Sequence, residues 1–496
     1  MAGLWASILA APVGGYYDDD DDFISLGGSS LQASLLVSQI RQTFGLEVPL
    51  LTLYRDFSLG AVSAVVAKGL EGSVPAAPDE RERWVADSLI GDHLPAPTGP
   101  VIDWRRPDEG RVFVTGATGF VGAFLLADLM RHQHVSRVCC LVRAANGEEG
   151  LERLRTGMGK YKLWDEAFAG RLDVVTGRLE DEHLGMGAQQ FEAMARWSSV
   201  VFHLGARVNY TQPYALHRDA NTLGTVNVVR FSTAGHRLKP LHYVSSISCF
   251  GPTGLVTGAT TVREDEPLLR HLDALPLDHG YAQSQWVAEQ LVGRLISRGF
   301  PIAVYRPGFV TGHSRSGACN RDDFVSRLIE ACCEMGCYPL LPNQRKEFVP
   351  VDYVTAAILH IAASPTCAGK AYHIVPPSRD ASVDMDATMQ LVGEALQRPL
   401  RGVPYSEWVD RLAVVAPLRL LPLQPMLAEK IYSGRTRWEL YENMPVYDTS
   451  NTDAALADYP GGLELPPLDE SLMKRYISFI DEAAREGAAP LSSAVA

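Results

Sequence analysis

Positive charge is in short supply in this chain. Its 496 residues carry 45 Lys and Arg against 58 Asp and Glu, a formal net charge of −13 at pH 7. Nucleic acids and anionic membranes are held by basic patches, so this balance argues against both as partners, while leaving room for a local basic pocket around a phosphate. Long apolar runs are missing too: nothing approaches the roughly 18–20 consecutive apolar residues that span a bilayer. The opening stretch MAGLWASILAAP has no basic region and reads as the first helix of a domain rather than a secretory leader. Cysteines number only eight. They lie in apolar segments without paired CxxC knuckles, and the group Cys332, Cys333 and Cys337 has no second ligand cluster at zinc spacing. Reduced, buried thiols in a cytoplasmic protein without a metal site are the expectation. The acidic run at 18–22 reads as a solvated loop. No G-x-S-x-G elbow occurs, which argues against a thioesterase.

A chain of this length exceeds one ordinary core, and two or three domains are expected. Residues 1–70 are rich in Leu, Val and Ala at helical spacing, and GSVPAAPDERER (72–83) then reads as a linker. Beyond about 110 the pattern changes. RVFVTG, RVCCLVR, RLDVVTG, SVVFHLG, PLHYVSS and PIAVYRPG are six candidate strands, separated by segments long enough for crossover helices. That alternation predicts an α/β, doubly wound, mainly parallel Rossmann-type sheet. From about 380 the sequence turns helical and Pro-punctuated, as expected of a smaller, mainly helical C-terminal substrate-side subdomain; residues 486–496 are expected to fray. The expected divisions are 1–70, a linker and lead-in at 71–107, a nucleotide-binding domain at 108–380 and the subdomain at 381–490.

In DDFISLGGSSLQASLLVSQIRQTFG, Gly27 and Gly28 make a turn, and Ser29 or Ser30 starts a helix whose apolar positions are Leu31, Leu35, Leu36 and Ile40. Taken alone, either serine is an N-cap. The pattern Asp-Phe-x-x-Leu-Gly-Gly-x-Ser-Leu resembles the acyl or peptidyl carrier domains of nonribosomal peptide and polyketide synthases, over roughly residues 3–68. The resemblance implies a small all-α, four-helix carrier domain with 4'-phosphopantetheine on Ser30. Such an arm carries a thioester between sites at high effective concentration.

RVFVTGATGFVGAFLLADLM runs a strand into Gly116, Gly119 and Gly122 and then into an amphipathic helix. Glycines at this spacing let backbone approach a pyrophosphate at a helix N-terminus. The next strand ends on Arg143, where an acid would hold a ribose 2'-hydroxyl; an arginine suits a 2'-phosphate and therefore NADP.

YVSSISCFG places Ser246 near a strand end, GYAQSQWVAEQ holds Tyr281 and Gln285 four residues apart, and FHLGARVNY and DANTLGTVNVV add strand-end and helix residues. With CLVRA, VNYTQPY, YRPGFVTGHS and EFVPVDYVTAA, these stretches resemble the extended short-chain dehydrogenase/reductases. The closer likeness, over about 108–485, is to the thioester reductase domains that end some nonribosomal peptide synthetases and carboxylic acid reductases; together with the carrier it is that of a fungal synthetase-like carrier–reductase pair. The resemblance implies NADPH contacts at Thr115, Gly116, Thr118, Gly119, Phe120, Val121, Gly122, Arg143, Leu179, Gly205, Ala206, Asn221, Pro307 and Gly308, and at Tyr281 and Gln285. It implies Ser246 and Tyr281 as donors to the thioester carbonyl, with hydride reduction to a hemithioacetal that releases an aldehyde. It also implies an adenylation domain, in cis or in trans, and a phosphopantetheinyl transferase to load Ser30.

Two positions depart from the pattern. The family usually has lysine where Gln285 stands, and a charge-neutral site there is expected to slow reduction without abolishing it, because reduction uses a protonated tyrosine. Arg178 stands where relatives commonly have an aspartate that meets the adenine amino group. Two other readings stay open: a redox-inactive relative that releases product by Dieckmann-type cyclisation, and a carrier with a non-catalytic interaction module.

Overall fold

A computed structural model describes residues 1–9, 17–46, 48–72, 79–417 and 419–485. Residues 73–78 of the expected linker and the tail at 486–496 lie outside the described residues.

All six expected strands form. They are β1 (Arg111–Thr115), β2 (Arg137–Val142), β3 (Leu172–Thr176), β4 (Val200–His203), β5 (Leu241–Val244) and β6 (Ile302–Pro307), and a seventh, β7 (Ala371–Ile374), pairs with β6. The sheet is parallel throughout, in the order β3-β2-β1-β4-β5-β6-β7. The strands read as apolar runs because both faces are covered. On one side Leu125, Leu126 and Leu129 of a helix at Phe120–Arg131 pack with Ile358 and Ile361; on the other lie Val228, Phe231, Leu291 and Leu295. Chain order reverses between β1 and β4, and the carboxyl ends of these strands border the crevice where doubly wound sheets take ligands.

The helix that carries Tyr281 spans Gly280–Ser297. His279 caps it, its Nδ1 accepting from the Ala282 N–H at 3.1 Å. Gly280 is required by close approach: a Cβ there would stand 2.3 Å from the Pro213 carbonyl carbon. One turn past Gln285, the buried Glu289 accepts from Arg306 of β6 at 2.7 Å. Removing one partner of such a buried pair leaves the other charge unpaired, at a cost of about 3–5 kcal/mol. The helix is therefore fixed at its start by close packing and tied to the sheet near its middle by this ion pair.

Before the sheet, helices α1 (Ala2–Ile8), α2 (Ser30–Phe44), α3 (Leu50–Leu53) and α4 (Leu59–Leu70) surround Trp5, Phe23, Leu36, Leu53, Phe57 and Val62. Phe23 stacks on Phe57 at 4.8 Å. Gly28 has no room for a side chain, since a Cβ would fall 2.3 Å from the Phe23 ring. The lead-in is helical at α5 (Arg81–Asp87), where Trp84 is buried and Asp87 accepts from Arg218 at 2.8 Å and Tyr214 at 2.7 Å.

A second core lies beside the carboxyl edge of the sheet. It gathers Phe324, Leu328, Met385, Trp408, Leu412, Leu472 and Met473. Thus the helix Phe324–Met335 joins the later helices, an association that composition could not display. α2 lies against the Leu421–Leu423 turn of this body, with the Ser34 hydroxyl donating to the Pro422 carbonyl at 3.3 Å. Among the described residues no helix is long and apolar enough to cross a membrane, and no group of His, Cys, Asp and Glu is arranged to hold a metal ion.

Candidate active site

A cavity of about 1470 Å³ runs from the loop after β1, along the carboxyl edge of the sheet, to the second core. Its nucleotide end is shaped by what glycines permit. Gly116 has φ +79, and a Cβ there would lie 2.6 Å from the Gly205 nitrogen; at Gly122 a Cβ would lie 2.1 Å from the Gly116 carbonyl oxygen. These two glycines pack the loop onto its neighbours. Gly119 is more open, and it begins the Phe120–Arg131 helix, which has no side-chain cap. The first-turn N–H groups are therefore left for an anion. Thr118, Phe120 and Val121 line the same stretch.

Thr115 lines the cavity but is committed to the scaffold. Its hydroxyl accepts from the Gly205 N–H at 3.2 Å and lies 2.7 Å from His203 Nδ1, whose other nitrogen is 3.1 Å from Thr225 Oγ1. Burial drives the His203 pKa down to about 3, so this imidazole is a neutral strut. Asn221, expected among the cofactor contacts, stands behind the cavity wall. Its amide accepts from the Arg207 N–H at 2.7 Å and donates to Ser284 Oγ at 2.8 Å. The reason is local: a π-helical turn at Asp219–Leu223 turns Asn221 inward, to brace the loop after β4 against the Tyr281 helix.

The other expected nucleotide contacts converge on the cavity. Arg143 lies exposed at its rim and is in no ion pair among the described residues. Arg178 is paired with Glu180 at 2.9 Å. Leu179 packs on Gly205 and Gly224, where a Cβ would stand 2.8 Å from it in either case. Ala206, Pro307 and Gly308 complete the wall, and Gly308 is pressed so close to Glu347 that a Cβ would meet its carbonyl oxygen at 2.1 Å.

Ser246 follows β5 and caps a 3-10 turn at Ile247–Phe250. The hydroxyls of Ser246 and Tyr281 line the same cavity, close enough for Ser246 to lower the tyrosine pKa. Burial pushes Tyr281 up to about 12, with Ser246 working against it. No cation stands among the causes of that shift. Gln285 is 2% exposed and faces the cavity one helical turn beyond Tyr281. The site therefore offers two neutral hydroxyl donors close together, which suits an oxygen that gains negative charge.

Around Tyr281 lie groups that sequence reasoning did not assign. His279 stacks on Tyr281 with ring centroids 6.0 Å apart, and Tyr210 meets His279 edge-on at 4.8 Å. Asp278 accepts from the His279 N–H at 2.7 Å and from the Tyr441 hydroxyl. Lys346, Trp438 and Tyr441 line the far wall. Asp278 and His279 directly precede the quoted GYAQSQ stretch and Lys346 precedes EFVPVDYVTAA, so the signal was adjacency to a motif. Tyr214, buried nearby, donates to Asp87.

At the carrier, Ser29 is the cap. Its hydroxyl accepts from the Gln32 N–H at 3.3 Å while the Gln32 side chain accepts from the Ser29 N–H at 2.9 Å. Ser30 is the first residue of α2 and is not needed for capping.

The family model described as "Phosphopantetheine attachment site" matches residues 1–66, and that described as "Male sterility protein" matches 114–358. Among curated proteins, the nonribosomal peptide synthetase FrzA of a Cladobotryum species is 62% identical over 481 residues, covering 97% of this chain and 47% of the relative. Aldehyde reductase lnaA of Aspergillus flavus is 59% identical, covering 97% and 46%. The chain thus spans about half the length of the curated relatives it matches. Among solved structures, the terminal R domain from the myxalamid PKS-NRPS biosynthetic pathway is 35% identical with a TM-score of 0.71, covering 83% of this chain and 100% of that one. A thiolation-reductase di-domain from an archaeal non-ribosomal peptide synthetase shares the fold at a TM-score of 0.70 and 18% identity, over 98% and 97% of the two chains.

Proposed function

Because the chain belongs to the carrier–reductase family of nonribosomal-peptide-synthetase-like proteins, we propose that it reduces an acyl thioester held on Ser30 and releases it as an aldehyde. The observation that carries the reading is the neighbouring pair Ser246 and Tyr281 in the same cavity as the glycine loop. In this reading the carrier occupies 1–70, the lead-in 71–107, the NADP-binding domain 108–380 and the substrate-side subdomain 381–490, with helix Phe324–Met335 packed into the last. The contact of α2 with the Leu421–Leu423 turn supports delivery in cis, since Pro422 and Leu423 line the cavity.

The residues present fit both groups. The cradle of Gly116, Gly119 and Gly122 would hold the NADPH pyrophosphate, Arg143 the 2'-phosphate and Leu179 the adenine ring, while Gln285 is placed to hydrogen-bond ribose. Bound there, NADPH supplies hydride to the thioester carbonyl carbon, and phosphopantetheine on Ser30 supplies the thiol that carries the acyl group. Ser246 and Tyr281 donate to the carbonyl oxygen, and Tyr281 passes its phenolic proton to that oxygen as charge develops on it. A tyrosine pushed up to about 12 is almost wholly protonated at neutral pH. It is thus ready as a donor, while only about one molecule in 10⁵ would be the tyrosinate that oxidation needs. The same feature disfavours Dieckmann-type cyclisation, which needs a base. The overall change is balanced: thioester, NADPH and one proton give aldehyde, thiol and NADP⁺. Consumption of NADPH in a single turnover by the acyl-loaded protein tests the reading; loaded protein that leaves NADPH untouched defeats it.

Two substitutions probe the nucleotide side. Arg143→Ala is expected to weaken NADPH binding by about 10- to 100-fold, the effect of losing a charge-assisted bond, and to leave NADH binding nearly unchanged. Fluorescence titration of both cofactors measures it, and an equal effect on the two would remove the 2'-phosphate assignment. Gln285→Lys is expected to speed reduction and to alter its pH profile. With Gln285, the donor form of Tyr281 is lost only as pH rises through about 12, so single-turnover rates should show no alkaline limb due to Tyr281 through pH ~9. A lysine cation favours tyrosinate and lowers that pKa, bringing an alkaline limb into the measured range. Identical profiles for the two proteins would contradict this account of position 285.

A further inference from the structure

We propose that Lys346 forms a subsite in the acyl chamber for an oxygen acceptor, a hydroxyl or a carbonyl, carried by the acyl group beyond its thioester. The inference rests on the reductive reading above and names the class of acyl group that this site selects. Lys346 ends a two-residue strand at Arg345–Lys346 and is 2% exposed. Its ammonium lies 3.9 Å from the centroid of the Trp438 ring, 5.1 Å from that of Tyr441 and 5.3 Å from that of Phe309. Those ring faces stabilise a cation on one side. The ammonium makes no ion pair and no hydrogen bond to a described residue, yet Lys346 lines the cavity.

The neighbouring carboxylates are already engaged. Asp278 accepts from Tyr441 and the His279 N–H, and Glu347 accepts from the Ser382 hydroxyl at 2.6 Å. A buried nitrogen with unused N–H bonds costs free energy until something accepts from it, and the space in front of this one is the cavity. Burial also lowers the lysine to about pKa 7, and both of its protonation states keep N–H donors. Asp278, Asp323 and Glu347 line the same chamber, so a carboxylate on the acyl group would meet repulsion that a neutral hydroxyl or carbonyl does not. The place is on the substrate side. Tyr441, next to Lys346, donates to Asp278, and the adjoining His279 stacks on Tyr281.

The test loads Ser30 with ω-hydroxyalkanoyl groups and with alkanoyl groups of the same size, over a series of chain lengths, and follows single-turnover NADPH consumption. The parent protein is expected to reduce the hydroxyacyl member of at least one pair about 10- to 100-fold faster. Lys346→Met is expected to erase that ratio, and Lys346→Gln, which keeps a shorter donor, to shrink it. The ratio compares two acyl groups within one protein, so a general loss of activity does not mimic the effect. NADPH consumed without preference at any length overturns this proposal alone, as does a ratio that persists undiminished in either folded variant. NADPH left unconsumed with every acyl group overturns the reductive reading and this proposal with it.

Discussion

Replacing Ser30 by alanine is expected to stop acyl release from the carrier completely while leaving the fold intact. The hydroxyl at this position is the attachment atom in the proposed reaction, and without it no thioester is delivered. The local structure makes the substitution clean. Ser29 and Gln32 form the reciprocal cap that starts α2, so helix initiation does not depend on Ser30, and alanine is compatible with a helix. Intact mass after treatment with a phosphopantetheinyl transferase should show the parent gaining the prosthetic group and Ser30→Ala gaining none, with equal thermal midpoints. Ser29→Ala should do the reverse: it should load normally and lose about 0.5–2 kcal/mol of carrier stability with its cap. Loading that follows Ser29 instead would move the attachment site by one residue.

The second large effect is expected at Tyr281. Tyr281→Phe keeps the ring between Tyr210 and His279 and removes only the hydroxyl. Loss of a positioned proton donor should slow hydride transfer by about 10²–10⁴-fold in a single turnover. NADPH affinity should change little, because the glycine cradle and Arg143 are untouched. Ser246→Ala should cost about 10²–10³-fold, as for one donor to a developing oxyanion. Since the two hydroxyls act on one oxygen, the double variant should fall short of the product of the single effects. A Tyr281→Phe protein that reduces its loaded thioester at the parent rate would assign the proton to another group.

The parts of the fold that were legible in the sequence are those where one local pattern has one physical meaning. Six strands buried on both faces stand out as apolar runs, and the strand–glycine–helix unit after β1 is short enough to read directly. β7, at Ala371–Ile374, was not among the strands read from the sequence. The second core was misjudged in extent because Phe324 and Leu328 meet Met385 and Trp408 only after the chain has folded back. At the site, residues within motifs converged on one cavity, whereas Asn221 did not: a π-helical turn, invisible to periodicity, points it away. Lys346 and Tyr441 lie 95 positions apart in the numbering of the chain, and no pattern of either neighbourhood announces that they share a wall.

Position 285 carries the main chemical consequence. Without a cation beside it, Tyr281 is held in its protonated form by burial, a state that serves reduction and hinders oxidation. In the proposed reaction, Gln285 bears on the direction of the reaction more than on its existence.

The most direct measurement is the fate of the label when protein acylated on Ser30 is given NADPH deuterated at the transferable position. The account predicts a released aldehyde that carries deuterium on its carbonyl carbon, with NADPH oxidised in step. Release of an acid or a cyclised product free of deuterium, with NADPH unchanged, would contradict it.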